Sequence, residues 1–201
     1  ASMYAVYHGP DGLKRIAQRV RLLTQMLARG LTDQGYTINS AAIFDTLKVS
    51  AGPGSFAEIV SAAADAQINL RIYQPEQDGP IRALGISLDE CSTVEEVETL
   101  LAMFGANAER FDAATMASAI ELDYDATHQR TSSYLGYAVF NSYHSETEML
   151  RYITRLQARD LSLTHSMIPL GSCTMKLHAT SEMIPVTWPE FGKIHPFAPL
   201  D

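Results

Sequence analysis

The sequence predicts an α+β domain in its first half, followed by a helical arm that is rich in loops. Up to about residue 105, segments with a helical spacing of apolar residues occur between short segments in which apolar and polar residues alternate as in strands. From about residue 139, one helical segment leads into a long proline-rich stretch with neither pattern. Such a stretch usually binds something or packs on a neighbour, so we expect no separate core there.

Three segments of the first half have the features of amphipathic helices. The first is predicted to begin at Pro10, which suits a first helical turn, and to end at Gly30. The second and third follow Ser55 and Thr93, each with a glutamate three positions later, which is the pattern of a capping box. The apolar face of the first helix consists of Leu13, Ile16, Val20, Leu23 and Leu27.

Strand patterns lie between these helices. They cover Tyr36–Val49, Asn69–Tyr73 and Leu84–Leu88, and turn residues such as Gly52, Pro53 and Gly54 separate them. Each helix has one apolar stripe, and a sheet needs one covered face. The sequence therefore predicts a short β-meander with its helices on one face.

Composition excludes several classes of function. The 201 residues carry a formal charge of −8, which argues against binding to nucleic acid or an anionic membrane. The apolar runs are shorter than the roughly 18 residues that a membrane helix needs. The six histidines lack the helical i, i+4 spacing of a metal site, and the two cysteines are far apart, so we predict no metal and two thiols in a reducing compartment. The sequence has no P-loop, GxGxxG or GxSxG motif.

The segment from Gly171 to Lys176 contains the richest chemistry. Gly171 permits a tight turn, which would direct backbone N–H groups and the side chains of Ser172, Cys173 and Thr174 at an anion such as a carboxylate or phosphate. The alternative interpretation is an ordinary polar turn. Lys176 is a candidate for a Schiff base, although a surface lysine has the same pattern.

Several segments together resemble the P-protein of the glycine cleavage system. They are Ala1–Pro10 (ASMYAVYHGP), Tyr143–Tyr152 (YHSETEMLRY), Met167–Leu177 (MIPLGSCTMKL), Trp188–Phe191 and Ile194–Phe197. The resemblance covers nearly the whole chain and is weakest at residues 106–138. A match of this length is much more specific than any single motif above.

The resemblance implies the fold of the family, the α/β aspartate-aminotransferase-like fold type I of pyridoxal-phosphate-dependent transferases. Residues 1–105 would form the small, α+β C-terminal domain of the first of two homologous halves. Residues 106–138 would form a connector, and residues 139–201 the N-terminal arm of the second, catalytic half. We therefore expect a piece of a longer protein.

The resemblance also implies the reaction. In this family glycine loses CO2 with the help of pyridoxal 5'-phosphate, and the aminomethyl group passes to the lipoyl arm of the H-protein; the full-length protein is expected to be a homodimer. The cofactor lysine of the family follows a histidine, and this sequence has no His-Lys pair. We therefore expect no catalytic residue here and no activity of the chain alone, with Lys176 no substitute and the Gly171–Lys176 loop lining the active site. His178 stands where the family usually has Asn, so it receives no family role.

Two alternatives remain open. The chain could belong to another decarboxylase or aminotransferase of the same fold, or it could be a stand-alone ligand-binding or regulatory α+β module. A His-Lys pair in the flanking downstream sequence would exclude the module. For the P-protein interpretation we expect the bacterial cytoplasm rather than the mitochondrial matrix, and neither nucleic acid nor membrane as a partner.

Overall fold

The computed structural model groups the chain into two compact units. The α+β unit comprises Asp11–Ser133, and the arm unit comprises Ala1–Pro10 together with Tyr134–Asp201. The structure describes residues 1–39, 42–76, 79–105, 113–122, 126–167, 173–192, 194–195 and 198.

Helix α1 spans Ser2–Asp33 and is interrupted at Gly9, whose φ of 62° and ψ of −178° are not helical. The continuous helix therefore begins at Pro10, as the sequence predicts. Its predicted end at Gly30 is wrong, because the helix continues for another three residues and Gly35, with a φ of 89°, follows its last turn. Gly30 serves packing instead, since a Cβ there would lie 2.6 Å from Cδ2 of Leu101.

The sheet has four antiparallel strands in the order β1-β2-β4-β3. The predicted meander is therefore wrong, because β4 lies between β2 and β3. The reason is the helix α2 (Phe56–Asp65) between β2 and β3: it brings β3 back parallel to β2. Strand β4 lies between β2 and β3 and is antiparallel to both. The strands are β1 (Thr37–Ile38), β2 (Thr46–Ala51), β3 (Arg71–Tyr73) and β4 (Ala83–Ser87).

Helix α3 spans Val94–Met103 and begins with the predicted capping box. The Thr93 hydroxyl accepts from the Glu96 N–H at 3.2 Å, and a Glu96 carboxylate oxygen accepts from the Thr93 N–H at 2.9 Å. The capping box predicted at Ser55 is wrong, because Ser55 precedes α2 with no side-chain hydrogen bond to it. A short helix, α4, covers Ala113–Ser118.

Apolar side chains from the sheet and the helices form one core in the α+β unit. Along β2, buried residues alternate with exposed ones, as in a strand with one covered face. In β4, which lies between β2 and β3, the residues from Ala83 to Ile86 are all buried. Apolar core residues that are at most 1% exposed are Leu27, Leu31, Leu47, Val49, Ala63, Leu84, Val97 and Leu101.

Tyr36 extends this core toward the end of α3. Its hydroxyl donates to the carbonyl oxygen of Phe104 at 2.9 Å, and the two rings meet edge to face with centroids 5.1 Å apart. Burial raises the pKa of the Tyr36 phenol, and a backbone hydrogen bond at Gly54 opposes this in part. A Cβ on Gly52 would lie 1.9 Å from Cδ1 of Tyr36, so the turn at Gly52 can pass over the ring only as glycine.

The arm unit consists of short helices. Ser145 caps α5, because its hydroxyl accepts from the Glu148 N–H at 3.3 Å. No described residue in these helices is buried. The elements are a 3-10 helix at Ala138–Asn141, α5 at Glu146–Gln157, 3-10 helices at Met175–Leu177 and Thr180–Thr187, and α6 at Pro189–Gly192.

Within the arm unit, His144 joins the first residues of the chain to the later ones. Its Nδ1 lies 2.8 Å from the carbonyl oxygen of Tyr7, which can only accept, so Nδ1 carries the proton. Tyr134 donates from its hydroxyl to the carbonyl oxygen of Pro10 at 2.7 Å. A Cβ on Gly9 would lie 2.6 Å from Cε1 of His144 and 2.7 Å from the carbonyl oxygen of Phe140.

Gly9→Ala should therefore loosen this junction. The backbone conformation of Gly9 is one that L side chains rarely adopt, at a cost of about 1–3 kcal/mol, and the new methyl group would displace His144. We expect more than ten-fold faster amide exchange at residues 3–8 in the variant, measured by mass spectrometry. Gly136→Ala is the matched control, since a Cβ there meets nothing within 4 Å. Equal exchange in the two variants would contradict this account of Gly9.

Candidate functional site

The structure describes the second part of the candidate loop. Gly171 and Ser172 lie outside the described residues, so their predicted roles remain predictions. Cys173 has a φ of 53°, which is unusual for a residue with a side chain, and Thr174 follows in a helical conformation. The chain then enters the 3-10 helix, where the Leu177 N–H donates to the carbonyl oxygen of Thr174 at 2.9 Å. The described part of the turn therefore begins at Cys173 and leads directly into the 3-10 helix.

Lys176 closes this turn. Its ammonium group donates to the carbonyl oxygen of Cys173, and its side chain is half-buried. A lysine that forms a Schiff base is activated by desolvation or by a nearby cation. The contact of Lys176 with a backbone carbonyl three residues earlier favours a structural role in the turn.

Two reactive types of side chain are accessible beside it. Cys173 and Thr174 are both exposed, so a thiol and a hydroxyl stand next to each other at the start of the 3-10 helix. The second cysteine, Cys91, is also an exposed thiol and belongs to the α+β unit. This outcome agrees with the prediction of two thiols.

The described lysines do not fit a covalently held carbonyl cofactor. Lys14 and Lys48 are exposed, and Nζ of Lys48 lies 4.6 Å from the centroid of the Tyr73 ring. The ammonium group of Lys176 donates to the Cys173 carbonyl oxygen, and Lys193 lies outside the described residues. We therefore derive no chemical step through such a cofactor for this chain.

Within the described ranges, no group of three or more His, Cys, Asp and Glu side chains could hold a metal ion. None of the helices in this part of the chain is long and apolar enough to cross a membrane.

Sequence reasoning missed an aromatic cluster on α5. The rings of Tyr143 and Tyr152 stack at 4.4 Å with an angle of 15°, and the Arg155 guanidinium lies 5.3 and 5.6 Å from their centroids. Arg155 also donates to the Tyr143 hydroxyl. The spacing of three residues between Tyr152 and Arg155 was a signal for one of these contacts. The cluster joins the second half of α5 to Tyr143, which precedes the helix.

It also missed a cleft of about 320 Å³ between α1 and α4. Among the described residues that line it, Arg29 is the only basic one, and its Nε donates to both carboxylate oxygens of Asp33 at 3.1 and 3.0 Å. Because this cation is already paired, the cleft offers no free positive charge to an anion. The residues that line it are Gln25, Arg29, Asp33, Thr115, Met116, Ala119, Ile120 and Glu121.

Two solved structures of serine palmitoyltransferases resemble the chain weakly. Serine palmitoyltransferase of Sphingomonas wittichii matches 52% of this chain and 26% of its own, with 22% identity and a TM-score of 0.34. A likeness at this level carries no argument about function. The α+β unit and the arm unit are therefore defined by the helices and strands described above.

Comparison with the sequences of known proteins identifies relatives much more specifically than the structural likeness does. The chain is 53% identical over 208 residues to glycine dehydrogenase (decarboxylating) of Nostoc sp., and 48% identical over 202 residues to the protein of the same name from Vibrio parahaemolyticus. Each match covers 100% of this chain and 20% of the relative, so the chain spans about a fifth of these proteins' length. The profile of the family called glycine cleavage system P-protein matches residues 1–104. The chain therefore belongs to the glycine cleavage system P-protein family.

Proposed function

We propose that this chain is part of a glycine dehydrogenase (decarboxylating). The full-length protein would release CO2 from glycine with pyridoxal 5'-phosphate and transfer the aminomethyl group to the lipoyl arm of the H-protein. The observation that carries this proposal is the identity of about half of all residues, over the whole chain, to bacterial proteins of that name. Because those relatives are bacterial, we assign the protein to the bacterial cytoplasm.

We further propose the position of the chain in that protein. Residues 1–105 would be the small C-terminal domain of the first half, residues 106–138 a connector, and residues 139–201 the arm that opens the catalytic half. The α+β character of the first segment and the absence of buried residues from the described helices of the arm support this division. The full-length protein would be a homodimer.

In this proposal the loop from Gly171 to Lys176 lines the active site and catalyses no bond change itself. The Thr174 hydroxyl and the backbone N–H groups of the turn would bind an anion, such as the carboxylate of glycine. The Cys173 thiol would contact the substrate region, since it is exposed beside that hydroxyl. Lys176 would hold the shape of the turn through the Cys173 carbonyl. The cofactor lysine would lie outside this chain.

Cys173→Ala in the full-length protein should lower the rate of glycine–bicarbonate exchange about ten-fold, which corresponds to about 1.4 kcal/mol of lost transition-state stabilisation. The physical reason is the loss of a side chain that shapes the wall of the site. The exchange rate would be measured at several glycine concentrations, so that effects on kcat and KM are separated.

Cys91→Ala is the matched control, because Cys91 is also an exposed thiol but belongs to the α+β unit. We expect its exchange rate to equal that of the wild type. An unchanged rate for Cys173→Ala, in a protein with wild-type stability, would refute the placement of the loop at the active site. It would leave the assignment of the full-length enzyme untouched.

A further inference from the structure

The exposed apolar side chains of the protein are concentrated in the arm unit. Among the large hydrophobic side chains that are exposed in the described part of the chain, all but Phe44 and Ile72 belong to it. The one large apolar side chain that is buried among its described residues is Val6, at 3% exposed. Scattered exposed apolar residues are normal on any protein, but a unit that exposes most of its large apolar side chains and buries only one has little core of its own.

The densest group follows the Cys173 turn. Leu177 is 77% exposed, and Trp188 and Phe191 are 49% and 61% exposed although their rings lie 6.3 Å apart. The group runs along the 3-10 helices and α6, so short helices present it in continuous sequence. We call it the arm surface, and it consists of Leu177, Ile184, Val186, Trp188, Phe191 and Ile194.

The charge of this segment indicates what kind of partner it fits. Residues 173–195 contain two lysines and two glutamates, so their formal charges cancel, whereas the whole chain carries −8. Burial of a neutral, aromatic surface against another apolar surface lowers the free energy of the protein. The same surface has no net charge with which to attract a charged ligand. The partner must therefore be largely apolar where it touches the arm.

The relatives contain a long polypeptide outside the matched region, and that polypeptide could supply the apolar partner. They match this chain along its whole length, and the match covers 20% of each of them. Most of each relative's polypeptide therefore lies outside the matched region, and in a full-length protein of this family that polypeptide is covalently connected to this chain. An apolar surface on that polypeptide would be present at high effective concentration, because it is covalently connected.

We infer that the arm surface is an internal interface of the full-length protein, covered by an apolar face of the polypeptide outside this chain. This inference rests on membership of the P-protein family and not on the proposed reaction. It also gives the Cys173 turn a physical support, because the arm surface begins at Leu177, one residue after Lys176. The same contact would hold the loop at a defined position in the full-length protein.

Hydrogen exchange tests the inference by comparing this chain with the full-length protein. We expect the amides of residues 175–192 to exchange at least about ten-fold more slowly in the full-length protein, because an interface protects backbone that is otherwise solvated. The amides of β2 and β4 serve as the internal control and should exchange at similar rates in both proteins. Equal exchange of residues 175–192 in both would overturn the inference. Protection in the isolated chain that disappears on dilution would also overturn it, since the partner would then be a second copy.

A paired substitution provides the second measurement. In the full-length protein, Trp188→Ser combined with Leu177→Ser should remove most of the protection at residues 175–192. Phe44→Ser is the matched control, because Phe44 is 43% exposed in the α+β unit and lies outside the arm surface. The inference fails if the double variant keeps wild-type protection. This experiment measures hydrogen exchange and not enzymatic activity. The result is therefore independent of the reaction proposed for the full-length protein.

Discussion

Tyr36→Ala should lower the free energy of unfolding of the α+β unit by about 3–5 kcal/mol, as expected for a large buried side chain. Tyr36 is 3% exposed, meets the ring of Phe104 edge to face, and donates to the Phe104 carbonyl oxygen. The substitution removes all three contributions and leaves a cavity under the turn at Gly52. Urea unfolding followed by circular dichroism measures the loss.

Two further variants separate the contributions to this loss. Tyr36→Phe keeps the ring and removes only the donor, so we expect a cost of about 1–3 kcal/mol for the unpaired buried carbonyl. Gly52→Ala is expected to be severely destabilising in the wild type, since its Cβ would overlap the Tyr36 ring. In the Tyr36→Ala background the same change should cost much less, because the ring is gone. Additive effects of the two substitutions would contradict the contact between Gly52 and Tyr36.

The second large effect is a complete absence of activity. Mixed with pyridoxal 5'-phosphate and glycine, the chain should produce no glycine–bicarbonate exchange and no stoichiometric lysine-bound cofactor after borohydride reduction. The sequence has no His-Lys pair, and the described lysines are either exposed or, in the case of Lys176, bound to a backbone carbonyl. Absorbance spectroscopy and mass spectrometry of the reduced protein measure the two expected results.

The full-length protein is the positive control, and Lys176→Gln is the matched variant of the chain. We expect the chain and its Lys176→Gln variant to behave alike, with at most sparse modification of surface lysines. One cofactor per chain that is lost on substitution of Lys176 would show that this lysine is the attachment site. That outcome would overturn both the structural role of Lys176 and the proposal that the cofactor lysine lies elsewhere.

The features that the sequence predicts correctly depend on residues close together in the chain. Pro10 begins the continuous part of α1, and Thr93 forms its capping box with a residue three positions away. The alternation along β2 places Leu47 and Val49 in the core. Each of these follows from local geometry, in which helical or strand periodicity brings the interacting groups together without help from the rest of the fold.

For the candidate loop, too, some features can be predicted from the sequence and others are seen only in the structure. Its residues and its resemblance to the P-protein family could be read from the sequence, and the comparisons confirm the family. That Lys176 donates to the Cys173 carbonyl could not be read, since it depends on the left-handed conformation of Cys173. The roles of Gly171 and Ser172 stay predictions.

By itself, the sequence determined the family, the helices and strands, and the absence of a His-Lys pair, because each is a property of neighbouring residues. Only the tertiary structure decided the strand order and the packing role of Gly30, because each depends on groups far apart in the chain. Gly30 illustrates the difference. In the sequence it looks like a helix stop, but the helix runs on to Asp33, and the missing side chain leaves the space in which Leu101 of α3 packs.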